Sequence, residues 1–535
     1  MRSHNLEQAA TLTGRRHVIL ILVLAAVASS LLLNAHLVPA GDNSTYLVLG
    51  QSIALGSGYR MISDPRAPLM ALYPPGYPLL VAMVLAVTGT AKVLLSAIVP
   101  VKVLSVLFFV ASTAVTYELF RHRNRQIAAA VALLMALNPQ LLHFSNEVGT
   151  EIPFLLLSLV ALWLYGRRER EPSLWSTLGL ATILIAMTYV RSVALVMALA
   201  FVLGFVVRRW WRKTLFLTLI VGAGVAPWFV YSSRLPSTGT SVGLGRGYFA
   251  LYFSRDPYGT TPASLGDLAN RVLLNLRIYL HDIWPEMLFP HSSSLARVLG
   301  PIGGVFLIGF SALAMLGFLV EARKLRVAEI YVALYFVSCV GYLWAQSRLI
   351  VPIIPFILFY TLVGAHTLVR HNVRNNGKVE GLSVAILVMV LVVSALWVQV
   401  RAVNRNLRFG LGRPLEVWYA RDAEWAKYLE AMEWIANNSS LSTNVMCRKA
   451  DLMYIVTGHQ ALEYPYTADS RVLQREVRET DVRYIIEDRF TWTRTTPLYL
   501  RPALEGWQVA EPQALSLVLE TDEPRTRVWR VSDVK

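Results

Sequence analysis

The chain alternates long apolar runs with short polar turns, most of them basic. Eleven runs approach the roughly 20 residues that cross about 30 Å of hydrocarbon, and each is predicted to be a membrane-spanning helix. They lie at 17–38, 97–120, 126–142, 150–166, 174–190, 192–207, 214–232, 299–320, 327–345, 349–369 and 381–400. No small-residue cleavage signal follows the first run, so it reads as a retained span. A twelfth apolar run, at 76–90, is short and starts inside the turn Tyr-Pro-Pro-Gly-Tyr-Pro at 73–78.

Charge in the turns decides whether that twelfth run crosses, because one extra crossing inverts every later loop. If it does not cross, the turns RHRNR at 121–125, GRRER at 166–170, RRWWRK at 208–213, EARKLR at 321–326 and RHNVRNNGK at 370–378 all fall on one side. All five are basic, which marks that side as cytoplasmic. The other side receives the first outer loop, 39–96, the stretch NPQLLHFSNEVGTE, a large loop from about 233 to 298, the QSR turn at 346–348, and the C-terminus. Residues 76–90 are therefore expected to lie along or dip into the outer face, with the N-terminus inside.

Beyond about residue 400 the pattern changes. Trp425, Leu429, Met432 and Ile435 recur at helical spacing over 422–437. They precede short β-rich runs, VRYIIED and the pair LSLVLE and TRVWRV around a DEPR turn. The expectation is a polytopic α-helical membrane domain over 1–400 and a small extracytoplasmic soluble α/β domain over 401–535.

Composition agrees with a membrane protein: of 535 residues, 55% are hydrophobic and 16% charged, and the mean hydropathy is +0.48. The net charge of +16 raises the question of a nucleic-acid partner. Its placement answers it. Residues 401–535 hold 19 basic and 19 acidic side chains, so the whole excess lies in the membrane part, where it reports topology. The two cysteines, Cys339 and Cys447, make no disulfide framework.

Candidate chemistry gathers on the outer face. Asp42 ends the first span, where a partly desolvated carboxylate suits a general base, although an Asp-Asn-Ser turn that merely terminates the span has the same look. A second acidic turn, SNEVGTEIPF, brings Glu147 and Glu151 to the same face. Two carboxylates from separate loops suggest a shared site; solvated caps are the plainer alternative, favoured for Glu147. Arg191, in Tyr-Val-Arg between two spans, and Arg348, in the QSR turn, are candidate cations for a phosphate, with Lys102 and Arg60 behind them. Snorkelling at a span end would also account for either arginine. The prolines at 74, 75 and 78 forbid a continuous helix. They would aim residues 76–90 along the membrane, with Tyr73 and Tyr77 at headgroup depth.

Asp42 with Tyr46, Gly-Ser-Gly-Tyr at 56–59, the turn at 73–78, Thr-Glu-Ile-Pro-Phe at 150–154 and Ser-Arg-Leu-Ile-Val-Pro-Ile-Ile-Pro at 347–355 together resemble the GT-C superfamily of polytopic glycosyltransferases. The nearest branch holds the protein O-mannosyltransferases and the lipid A aminoarabinose transferase. The resemblance covers residues 15–400 and rests on order, spacing and sidedness. It implies inverting transfer of a sugar from a polyprenyl-phosphate donor to a glycan, lipid or protein acceptor at the outer face of the cytoplasmic membrane. By that likeness Asp42 is the catalytic base and Glu151 the second acid; Tyr46, Tyr73, Arg191 and Arg348 are expected to bind substrate. Two departures stand out: Glu151 where many relatives have Asp, and Asn43 where many have a second acid. The second leaves a divalent metal open. Nucleotide sugars are not available outside the membrane, so a lipid-delivered donor explains an interfacial site.

A multispan transporter or lipid flippase is the alternative from another class, and a non-catalytic assembly protein a third. The middles of the spans carry almost no charge, whereas transporters place ionisable groups and broken helices at mid-membrane. Eleven spans are excessive for an anchor. The glycines of GLGRGYF at 243–249 lack a strand-turn-helix context. His36, His281 and His291 lack ligand spacing, and the sequon Asn43-Ser44-Thr45 lies too near the membrane for glycosylation.

Overall fold

A computed structural model describes residues 2–38, 41–166, 173–235, 252–255, 261–290, 292–372, 377–409 and 422–532. GLGRGYF and His291 lie outside the described residues, as do parts of the turns at 166–170 and 370–378. The chain divides into two compact units. One comprises 1–33, 102–228 and 263–408; the other joins 34–101 and 229–262 to the tail from 409. The first outer loop thus belongs with the tail, and the later part of the large outer loop with the apolar helices.

All eleven apolar runs are helical. By length and composition, five of the described helices can cross a bilayer: Leu94–Phe120, Trp211–Arg234, Pro301–Ala322, Ser347–Asn372 and Gly381–Arg408. A sixth is the bent pair Arg125–Leu137 and Pro139–Ser145, broken by 57°. The break follows from sequence. Asn138 is extended, and its side chain caps the second helix at Gln140 and Leu141, while Pro139 has no N–H to continue the first. The remaining apolar runs form shorter helices, trimmed by breaks such as the extended Arg191 after Leu174–Val190.

Buried charge orders one end of the first unit. Arg123, from RHRNR, pairs with Glu321 at 3.2 Å and Glu329 at 2.7 Å; Lys324 and Arg326, from EARKLR, also reach Glu321, at 2.5 and 3.2 Å. Two of the basic turns therefore share an end. The helix Glu151–Gly166 brings Gly166 beside Glu118, His122, Arg123 and Arg326. Glu151, at its start, is at the opposite end from these basic groups.

The tail is an α/β fold around a five-stranded sheet. Its strands are β1 (Asn444–Met446), β2 (Ala461–Leu462), β3 (Val482–Glu487), β4 (Leu515–Glu520) and β5 (Arg527–Val531), in the order β2-β1-β3-β5-β4. β2, β1 and β3 run parallel, whereas β3, β5 and β4 pair antiparallel. The helices Ser470–Glu479 and Arg501–Ala510 close the core with Leu473, Val477, Leu504 and the fully buried Trp507. Burying one such aromatic side chain contributes about 3 kcal/mol. The buried Glu487 accepts from Trp529 Nε1 at 3.0 Å and from Arg501 Nε at 2.7 Å, which offsets the cost of burying its charge.

Candidate active site

Asp42 immediately precedes the helix Asn43–Ala54, yet its side chain does not cap it. Its Oδ1 instead accepts from Tyr73 Oη at 2.9 Å. The prolines behind Tyr73 end any preceding helix, and Pro75, itself already in the helical region, stands at the N-cap of the helix Gly76–Thr88. Tyr46 lies between the two turn tyrosines, edge-on to Tyr73 at 5.3 Å and to Tyr77 at 5.0 Å. All three rings are buried. Tyr59, from Gly-Ser-Gly-Tyr, donates to the Tyr73 carbonyl at 2.6 Å and fixes its backbone. Gly50 lets the two helices meet: a Cβ there would lie 2.4 Å from Val81 Cγ1 and 2.8 Å from Val81 Cβ. Asp42, Tyr46 and Tyr73, expected to act together, are one cluster.

Two tail residues join this cluster that sequence reasoning missed. Lys449 Nζ donates to the carbonyl of Gly41 at 3.3 Å. Asp451 accepts from Thr45 Oγ1 at 2.5 Å and Ser63 Oγ at 2.7 Å. Burial raises the Asp451 carboxyl above its ordinary value, opposed by the hydroxyl donors of Thr45 and Ser63. For Lys449, burial and then the Arg448 charge lower the ammonium below the usual lysine value, against the pull of Glu463, Asp42 and Asp451. Both residues sit in the undistinguished stretch CRKAD at 447–451, which carries no motif.

The other expected residues belong to the first unit. Glu151 is buried at the first turn of its helix. Arg191 Nη1 donates to its Oε1 at 3.1 Å and lies 6.0 Å from the centre of the Phe154 ring. Arg191 was expected as a phosphate cation; it is held by Glu151, so a phosphate would share it with that carboxylate. Gly149 makes room for the arrangement, since a Cβ there would lie 2.5 Å from Glu151 Oε2. Arg348 is partly buried at the start of the 3-10 turn Ser347–Ile353, which packs on the Glu151 helix. Tyr279 and Tyr335 tie that turn down through the carbonyls of Gln346, at 3.3 Å, and Leu349, at 2.9 Å.

The weaker candidates have surroundings of their own. Lys102 is buried in Leu94–Phe120, where the Glu147 charge acts on it. Glu147 itself pairs with His143 at 2.6 Å, so it is more than a solvated cap. Arg60 donates to the Ala67 carbonyl at 3.2 Å and belongs to a surface turn. Among the described residues, no three His, Cys, Asp or Glu side chains converge as a metal-ligand set. Asn43 follows Asp42 where a metal-binding pair would have a second acid, and the Asp42 carboxyl accepts from the Tyr73 phenol.

No protein-family model and no curated protein matches the chain. Solved structures do. The oligosaccharyltransferase AglB from Archaeoglobus fulgidus, in complex with an inhibitory peptide and a dolichol-phosphate, superposes with a TM-score of 0.56 at 11% identity, over 96% of this chain and 74% of that one. ArnT from Cupriavidus metallidurans in the apo state superposes with a TM-score of 0.56 at 14% identity, over 97% of this chain and 98% of that one. The same ArnT bound to undecaprenyl phosphate gives 0.54 at 13% identity. At such identities the likeness is one of fold.

Proposed function

We propose that this polytopic GT-C-fold protein is a membrane glycosyltransferase. It moves a sugar from a polyprenyl-phosphate carrier to a glycan, lipid or protein acceptor at the extracytoplasmic face, with inversion and with Asp42 as general base. The observation that carries the reading is the Tyr73–Asp42 hydrogen bond, in a fold shared with proteins whose solved complexes hold dolichol-phosphate and undecaprenyl phosphate.

The chemistry needs little else from this cluster. The Asp42 carboxylate, oriented by the Tyr73 phenol, takes the acceptor hydroxyl proton; the acceptor oxygen attacks the anomeric carbon on the face opposite the phosphate. The bond from that carbon to the carrier phosphate oxygen breaks, and its electrons leave with the phosphate. Cations must meet that charge. Arg348 and the Glu151-held Arg191 are proposed for it in the apolar-helix unit, where arginine's planar fork suits a phosphate. Tyr46 and Tyr77 wall the base with aromatic surface. No step is routed through a metal, and nothing in the charge pattern calls for nucleic acid. The N-terminus is assigned inside and the tail outside from the basic turns, two of which share one end.

The test is transfer by the purified protein in nanodiscs, with a panel of radiolabelled polyprenyl-phosphate sugars and crude envelope acceptors. Wild type should transfer one donor of the panel, and Asp42→Asn, folded, should not. Undiminished transfer by Asp42→Asn would remove the assignment of the base.

A further inference from the structure

The tail grips the loop that carries Asp42. Besides the Lys449 and Asp451 contacts, Ala461 N at the start of β2 donates to the Ser63 carbonyl at 2.7 Å, Gln460 Nε2 donates to the Ile62 carbonyl at 3.2 Å, and Arg66 pairs with Glu476 at 2.7 Å. These three contacts end on residues 62, 63 and 66 and fasten the loop. Lys449 differs. It is the residue just before the helix Ala450–Thr457, its N–H is held by Tyr428 Oη at 3.0 Å, and its ammonium lies 5.5 Å from the centre of the Trp492 ring. The side chain is thereby aimed at Gly41, the neighbour of Asp42 in the chain.

We propose that Lys449 is a positioning residue of the Asp42 centre: its ammonium holds the Gly41 carbonyl and favours Asp42 as the anion a general base must be. The inference rests on the reading of Asp42 as base. It makes the soluble tail part of the catalytic centre, since the charge that conditions the base comes from there. Among the described residues, Tyr73 donates to Asp42, and the charges of Arg448, Glu463, Asp42 and Asp451 act on Lys449. Arg448 is committed to Glu463 at 3.0 Å, and Asp451 to Thr45 and Ser63. Lys449 is the cation whose removal changes the field at Asp42 without breaking those pairs.

The readout should not depend on knowing the donor. Dicyclohexylcarbodiimide labels protonated carboxyls, so the pH at which labelling of the Asp42 peptide is half-maximal, read by mass spectrometry on the full-length protein in nanodiscs, reports its ionisation. Asp42→Asn identifies the labelled peptide. Removing one unit charge from a partly solvated site should move the midpoint up by about half a pH unit. Lys449→Met is expected to show that rise, Lys449→Arg to restore the wild-type midpoint, and Lys427→Met, a lysine elsewhere in the tail, to leave it alone. A Lys449→Met midpoint equal to wild type, or a Lys449→Arg midpoint as high as that of Lys449→Met, would overturn the proposal. Either result leaves the transfer test of Asp42→Asn standing, so the two readings fail separately.

Discussion

Tyr73→Phe removes a hydrogen bond that orients the proposed base. The phenol donates to Asp42 Oδ1 at 2.9 Å, and a hydrogen bond to a charged group contributes about 1.5–3 kcal/mol. The ring itself stays: it is 8% exposed and packed edge-on against Tyr46 at 5.3 Å, and phenylalanine keeps that packing. The loss should therefore fall on catalysis rather than folding. At about 1.4 kcal/mol per tenfold, kcat should drop about 10- to 100-fold with KM little changed, since the bond orients the base and not the donor. Steady-state transfer with thermal unfolding beside it reads both. Tyr59→Phe is the comparator, for it removes a bond of similar burial that ends on the Tyr73 carbonyl and should cost less. A Tyr73→Phe kcat within twofold of wild type would refute the orienting role.

Two further predictions concern stability. Gly50→Ala puts a Cβ within 2.4 Å of Val81, so the helices Asn43–Ala54 and Gly76–Thr88 must part. Overpacking of that kind costs about 1–3 kcal/mol, and both melting temperature and transfer should fall, because Tyr46 and Tyr77 ride on those helices; an unchanged melting temperature would contradict the packing. In the tail, burial pushes the Asp488 carboxyl up to about 6, against the donors Phe490 N and Thr496 Oγ1 and the Arg448 charge. A carboxyl raised above its unfolded value favours the folded state while protonated: this contribution is full below about pH 4 and is lost as pH rises through about 6. About 3 kcal/mol is at stake. Asp488→Asn should keep the bond from Phe490 and flatten that part of the tail's unfolding profile, followed by tryptophan fluorescence between pH 4 and 8; parallel profiles would refute it.

Much of this arrangement is legible in the chain. The eleven apolar runs are found as helices, and the helix predicted over 422–437 is found at Ala423–Asn438. The β-rich runs VRYIIED, LSLVLE and TRVWRV become β3, β4 and β5, the last two paired antiparallel around the DEPR turn. The prolines at 74 and 75 foretold the turn that delivers Tyr73. What escaped has physical reasons. β1 and β2 have three and two residues, too few for an alternating pattern to emerge, and their parallel pairing is set by distant chain. The helix Leu265–Ile278 was hidden in a loop, although its capping box, Ser264 with Asp267, is a readable signal. Lys449 and Asp451 act through side-chain contacts with residues some 400 positions earlier, which no local spacing can display. The charge of Arg191 is legible in the sequence, whereas the Glu151 that holds it is not.

The most direct test of the whole account is sugar transfer from radiolabelled polyprenyl-phosphate donors by wild type and by folded Asp42→Asn in nanodiscs. The account predicts transfer of one donor by wild type and loss of at least a thousandfold in Asp42→Asn at matched melting temperature. Equal transfer by the two proteins would contradict it.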